Sequence, residues 1–144
     1  MVLSFYRGGW CPYCNIELQT LSEAYPQMQR FGARLVAISP ETPDHSLATA
    51  ERHALKFEVL SDVRNKVAQK FGLVFALVEE LRPLYRQYGF DLPSYNGYES
   101  WEIPVPATYV IGRDGNIIYS FANVDYTHRA EPEDIIEALR AHTN

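Results

Sequence analysis

The chain has two cysteines, Cys11 and Cys14, separated by two residues in the stretch GGWCPYCN, residues 8 to 15. A thiol pair at this spacing can form a bridge, ligate a metal or do redox chemistry. A Cys11–Cys14 bridge closes too small a loop to add much stability through chain entropy. A structural zinc needs four ligands, normally a second Cys or His pair at matching spacing; His45, His53, His128 and His142 are scattered without one. No metal and no cofactor is therefore expected, and redox use of the thiols is left. Buried cysteines used only as small hydrophobes sit at periodic apolar positions. Cys11 instead follows a Gly-Gly-Trp turn, which predicts a sulfur that solvent can reach.

The elements that position the pair are legible on either side of it. VLSFY (2–6) is an apolar run suited to a strand and ends at the Gly8-Gly9 breaker. From Pro12, the residues Ile16, Leu18, Leu21, Tyr25, Met28 and Phe31 recur at helical spacing, predicting a helix to about Arg30 with that face buried. ARLVAIS (33–39) is the next strand, and Asp44 is a candidate cap for a helix carrying Leu47, Ala50 and Ala54. FEVLSD (57–62) reads as a strand entering a cap, and NKVAQKFGLV (65–74) as a short helix closed by Gly72. ATYVIG and NIIYSFA form a hairpin about Arg113-Asp114-Gly115, and EPEDIIEALRAH (131–142) is a closing amphipathic helix. This order predicts an α/β fold: a mixed sheet, parallel first and antiparallel last, with helices on both faces.

Cys11 thus falls where the first strand hands over to the first helix, with Pro12 at the first helical position, where a missing N–H costs nothing. As N-cap, its sulfur meets the unpaired amides and positive end of the helix. These favour a thiolate and bring a thiol from ~8.5 to between ~3.5 and ~7.5. Cys14 lies about one turn on, on the same side and nearer the core, within reach of a sulfur adduct on Cys11.

Composition bounds the partners. A length of 144 residues at 47% hydrophobic content suits one domain over 1–144. A net charge of -5 argues against nucleic acid or an anionic membrane surface. No apolar run reaches the ~18 to 20 residues of a membrane span, and the start lacks the pattern of a secretion signal, so the expected location is cytoplasmic.

The segment FYRGGWCPYCNIEL resembles the peroxiredoxin-like branch of the AhpC/TSA (alkyl hydroperoxide reductase and thiol-specific antioxidant) superfamily, and CPYC after a strand resembles a thioredoxin-fold redox motif. The resemblance continues through VAISPETPDHS, VLSD, KVAQKFGLV and VPATYVIGRDGNIIYSFANVDYTHR, nearly the whole chain. It implies a thioredoxin-like fold and a cis-proline facing the redox cysteine, the position that Pro106 matches. It also implies a thiol peroxidase in which Cys11 is the reacting and Cys14 the resolving cysteine. The extended segment such proteins carry before the first strand has no counterpart, so the chain reads as starting late. Two polar aids to peroxide cleavage are also missing. The family's Thr or Ser three residues before the reacting cysteine is Gly8 here, and its arginine leading into a late strand has no match at Ala107, just after Pro106. Arg7 and Arg129 are candidate substitutes, as are the backbone N–H groups of Gly9 and Trp10, although a surface arginine is ordinarily solvated. The buried acid that thioredoxins keep under the pair is also missing, since the first strand offers Ser4 and Phe5. Glu17 is the candidate base, set against its reading as a solvated helix glutamate.

Residues 79–101 exceed a minimal thioredoxin fold. They carry Tyr85, Tyr88, Phe90, Tyr95, Tyr98 and Trp101, and read as a self-packed insertion, a cover over Cys11 or a homodimer surface. Three functions follow: a peroxidase using hydrogen peroxide or alkyl hydroperoxides and recharged by a thioredoxin- or glutathione-type thiol system; a thioredoxin- or glutaredoxin-like thiol–disulfide oxidoreductase; and a non-enzymatic interaction module.

Overall fold

The computed structural model describes residues 1–143; the expected domain limit, Asn144, lies outside them. Five strands form the central sheet: β1 (Val2–Phe5), β2 (Leu35–Ser39), β3 (Glu58–Ser61), β6 (Ala107–Ile111) and β7 (Ile117–Ala122), in the order β3-β2-β1-β6-β7. β1 runs parallel to β2, and β2 to β3; β6 is antiparallel to β1, and β7 to β6. The sheet is therefore mixed, with its parallel part built first, as the element order predicts.

β1 is buried along its length because it is central and covered on both faces, with Ser4 as its one polar residue. Val2 and Tyr6 join the core that α1 (Pro12–Arg30) and α6 (Pro132–Ala141) cover, together with Leu18, Leu21, Met28 and Ile135. Leu3 and Phe5 point the other way, into a smaller core with Ala68 of α3 (Lys66–Lys70) and Tyr109. In α1 the predicted stripe is buried at Leu18, Leu21, Tyr25 and Met28, but Ile16 stands 61% exposed. It faces a surface pocket that it shares with Thr20, Arg129 and Pro132. α2 (Pro43–Arg52) has Thr42 as its N-cap, and Asp44 sits in its first turn. The N-cap position of α3 is Asn65, and the carboxylate of Asp62 accepts the first-turn N–H groups of Val67 and Ala68.

Residues 74–104 hold elements that hydrophobic periodicity does not announce. β4 (Val74–Ala76) and β5 (Glu102–Pro104) pair antiparallel as a separate two-stranded ribbon, and between them lie α4 (Arg82–Gln87) and α5 (Leu92–Asn96). The ribbon closes the aromatic excursion at its base, so the excursion leaves the body and returns to it at one place.

Candidate active site

Parallel neighbours β1 and β2 end side by side, so the loops that follow them meet. Gly8-Gly9-Trp10 leaves β1, the Ser39-Pro40-Glu41 loop leaves β2, and α1 starts at Pro12. Cys11 is the N-cap of α1 in extended conformation, and its sulfur accepts the N–H of Cys14 at 3.4 Å. The Arg7 guanidinium lies against the same sulfur, with Nη1 at 3.9 Å. Arg7 is buried rather than solvated because aromatic rings enclose it. Its guanidinium carbon is 4.5 Å from the Tyr126 ring centroid and 5.0 Å from that of Trp10, and Nη2 donates to the Tyr85 hydroxyl at 2.5 Å.

Cys14 has different company. Its sulfur accepts the Arg7 backbone N–H at 3.4 Å and Arg129 Nη2 at 3.3 Å. Arg129 Nη1 in turn donates to Glu17 Oε2 at 3.0 Å, and Glu17 Oε1 accepts the Ser4 hydroxyl at 3.2 Å. Glu17 is therefore a buried, paired acid beneath the cysteines and not a solvated helix glutamate. It is carried by α1 and meets Cys14 through Arg129, while β1 contributes the hydroxyl. The two arginines divide between the sulfurs, Arg7 on Cys11 and Arg129 on Cys14, although sequence alone makes both candidates for Cys11.

These surroundings drive the thiols apart. Hydrogen bonding from Cys14 lowers the Cys11 thiol to about 6, with help from the charges of Arg7 and Arg129 and against the effect of burial. Burial pushes the Cys14 thiol up, and the neighbouring Cys11 sulfur adds to the rise. At neutral pH the pair can hold one thiolate, on Cys11, and one thiol, on Cys14.

Three expectations are corrected here. Cys11 is only 1% exposed. It lies in the wall of a cavity of about 250 Å³ that Trp10 and, from the excursion, Tyr85, Tyr88 and Phe90 help to enclose. The backbone N–H of Gly9 is not free, because it donates to the Glu41 carboxylate at 2.6 Å. Pro106 is buried, and no cis peptide bond occurs among the described residues, so its bond is trans.

Sequence reasoning missed Glu41 and the pairing of Tyr85 with Arg7. Glu41 is 1% exposed; burial raises its carboxyl to about 7, against the lowering effect of the Gly9 bond and the Arg52 charge. No local pattern announces it, because its partner is a backbone N–H 32 residues away. Gly9 itself is required there, because a Cβ would lie 2.2 Å from Thr49 Oγ1.

A model of the AhpC/TSA family matches residues 1–120. The chain belongs to the AhpC/TSA family. Chloroplastic peroxiredoxin Q of Populus jackii is 30% identical over 73 residues, which is 51% of this chain and 34% of that protein. Thiol-disulfide oxidoreductase ResA of Bacillus thuringiensis subsp. konkukian is 22% identical over 117 residues, 81% of this chain and 50% of that one. The chain spans about a third to a half of the length of these relatives. Among solved structures, peroxidoxin BcpB of Mycobacterium tuberculosis superposes with a TM-score of 0.71 at 21% identity, covering 97% of this chain and 77% of that one. The fold is thioredoxin-like. Within the AhpC/TSA family, Gly8 has a local cause: a Cβ there would lie 2.1 Å from the Trp10 indole nitrogen. The indole occupies the space that a Thr or Ser side chain would need.

Proposed function

We propose that this AhpC/TSA chain is a thiol peroxidase in which Cys11 reduces a hydroperoxide and Cys14 resolves the product. The observation that carries the reading is the opposed state of the two sulfurs: an N-capping Cys11 lowered to about 6 beside a guanidinium, and a Cys14 held protonated by burial. The Cys11 thiolate attacks the terminal oxygen of ROOH, the O–O bond breaks, and Cys11 becomes a sulfenic acid as RO⁻ leaves and takes a proton. Cys14 then displaces water from the sulfenic acid to give the Cys11–Cys14 disulfide. Two equivalents of an external thiol, of thioredoxin or glutathione type, reduce that bridge and are themselves oxidised. We place this cycle in one thioredoxin-like domain working in the cytoplasm, where such reductants are held; among the described residues no helix is long and apolar enough to cross a membrane. Of the readings of residues 79–101, the cover over Cys11 is favoured over a homodimer surface, because Tyr85 and Phe90 pack on Trp10 at 5.9 Å and 5.2 Å between ring centroids.

A second reading, thiol–disulfide exchange, draws on the Arg129–Glu17 pair at Cys14. A guanidinium on the resolving sulfur stabilises it as a leaving thiolate whenever another thiol attacks at Cys11. The two readings separate when reduced protein receives one equivalent of hydrogen peroxide or, separately, of a small disulfide, and bridge formation is followed by intact mass. Fast bridging with peroxide supports the peroxidase; fast bridging with the disulfide alone replaces it with exchange.

A further inference from the structure

Two N–H donors beside Cys11 have no hydrogen-bond partner among the described residues: Arg7 Nε and Trp10 Nε1. Both residues line the Cys11 cavity, and both are more than nine-tenths buried, at 4% and 8% exposure. Burying an N–H without an acceptor is costly and folded proteins leave few such groups, so two on neighbouring side chains call for a ligand bearing acceptor oxygen. The side chains are held against each other, with the Arg7 guanidinium carbon 5.0 Å from the Trp10 ring centroid. The indole also packs against Phe90 and Tyr85, at 5.2 Å and 5.9 Å between ring centroids. Its nitrogen lies over Gly8, three residues before Cys11, whose own N–H is bonded to the Gly8 carbonyl at 3.1 Å. The backbone alternative is closed at Gly9, whose N–H is committed to Glu41.

We propose that Trp10 Nε1–H and Arg7 Nε–H together form the donor pair that binds the leaving oxygen of the hydroperoxide, Trp10 being a catalytic residue through its side chain. The inference rests on the peroxidase reading and names the group that does there what glycine at position 8 cannot. In the step, an electron pair of the Cys11 sulfur forms the S–O bond to the terminal oxygen. The O–O pair passes to the inner oxygen, which departs as RO⁻ and takes a proton from water. Sulfur is oxidised by two electrons and the peroxide is reduced by two. Negative charge grows on the departing oxygen, where an oriented donor held in a buried wall acts more strongly than water. Arg7 then bridges the reaction, with Nη1 toward the sulfur and Nε toward the leaving group.

Trp10→Phe keeps an aromatic ring against Arg7 and removes the N–H. In single-turnover mixing, its rate with tert-butyl hydroperoxide is expected to fall roughly tenfold to hundredfold. Alkylation of Cys11 by iodoacetamide, which uses the thiolate but expels no oxygen anion, is expected to keep the wild-type rate. An unchanged peroxide rate, or equal losses in both reactions, overturns the assignment. A second measurement does not depend on that variant folding. In Cys11→Ser protein carrying ¹⁵N-tryptophan, the Trp10 indole N–H resonance is expected to shift on titration with tert-butyl hydroperoxide while that of Trp101 stays in place; a stationary Trp10 signal overturns the proposal. If wild-type protein bridges with a small disulfide and ignores peroxide, the peroxidase reading fails and the proposal falls with it. Fast wild-type reaction with an unaffected Trp10→Phe removes the Trp10 assignment alone.

Discussion

Cys11 and Cys14 are identical side chains three positions apart, and the different roles proposed for them come from what each sulfur touches. The N-cap position gives Cys11 a backbone donor and a guanidinium without closing it off from the cavity. Cys14, with no exposure at all, meets a larger desolvation penalty than its partners repay. A pair of titratable groups driven in opposite directions marks a division of labour. Cys11→Ser is therefore expected to abolish peroxide turnover. Cys14→Ser is expected to react once and stop, with intact mass showing one added oxygen atom on Cys11 or a mixed disulfide if small thiols are present. Equal residual turnover in the two variants would remove the assignment. The cysteine spacing and Pro12 were legible because an N-cap is a local feature. Arg7 was not, since its burial depends on Trp10, Tyr85 and Tyr126, which converge on it from separate parts of the chain.

At the scale of elements, the site depends on two loops that follow adjacent parallel strands. Glu41, from the loop after β2, accepts the Gly9 N–H of the loop after β1 and thereby fixes the turn that delivers Cys11 to α1. Its carboxyl titrates at about 7 against an ordinary 4.5, so between those values the folded chain holds a proton that the unfolded chain has released. Stability from this group is complete below the unfolded value and is lost as pH rises through the folded one. Relative to Glu41→Gln, the wild type is expected to lose about 3 kcal/mol between about pH 4 and about pH 8, read from urea midpoints. A constant difference would show that Glu41 does not titrate on folding. The main sheet, α1, α3, the β6–β7 hairpin and α6 could be read from periodicity and caps. β4 and β5 could not: each is three residues long, β5 ends in proline, and neither alternates over enough positions to separate a strand from a loop. Which of the two readings of Glu17 holds was not legible for a related reason. A lone glutamate on a helix is ordinarily solvated, and the partner that lets it be buried stands 112 residues away.

Across the whole molecule, that partnership is the one salt bridge with both side chains largely withdrawn from solvent among the described residues. Arg129 and Glu17 are 12% and 7% exposed, whereas Arg34–Glu58, Arg86–Asp91 and Arg140–Glu137 lie on the surface. The pair ties the segment before α6 to the first helix and brings a charge to Cys14 in the same contact. Arg129→Met leaves a buried carboxylate with only the Ser4 hydroxyl, and is expected to cost about 3 kcal/mol in urea unfolding at neutral pH. The double variant Arg129→Met/Glu17→Met is expected to recover much of that loss, and a double variant as unstable as the single one would contradict the charge as its cause. The aromatic excursion, based on the β4–β5 ribbon, helps to enclose the Cys11 sulfur, so the proposed chemistry depends on a thiolate that persists in a largely buried cavity wall. That ionisation is measured most directly by the pH dependence of Cys11 alkylation in the reduced wild-type protein, with the modified cysteine identified by peptide mass. A midpoint near the value of about 6 is predicted; a midpoint at or above the ~8.5 of a free thiol, or no alkylation of Cys11 at any pH at which the protein is folded, would contradict it.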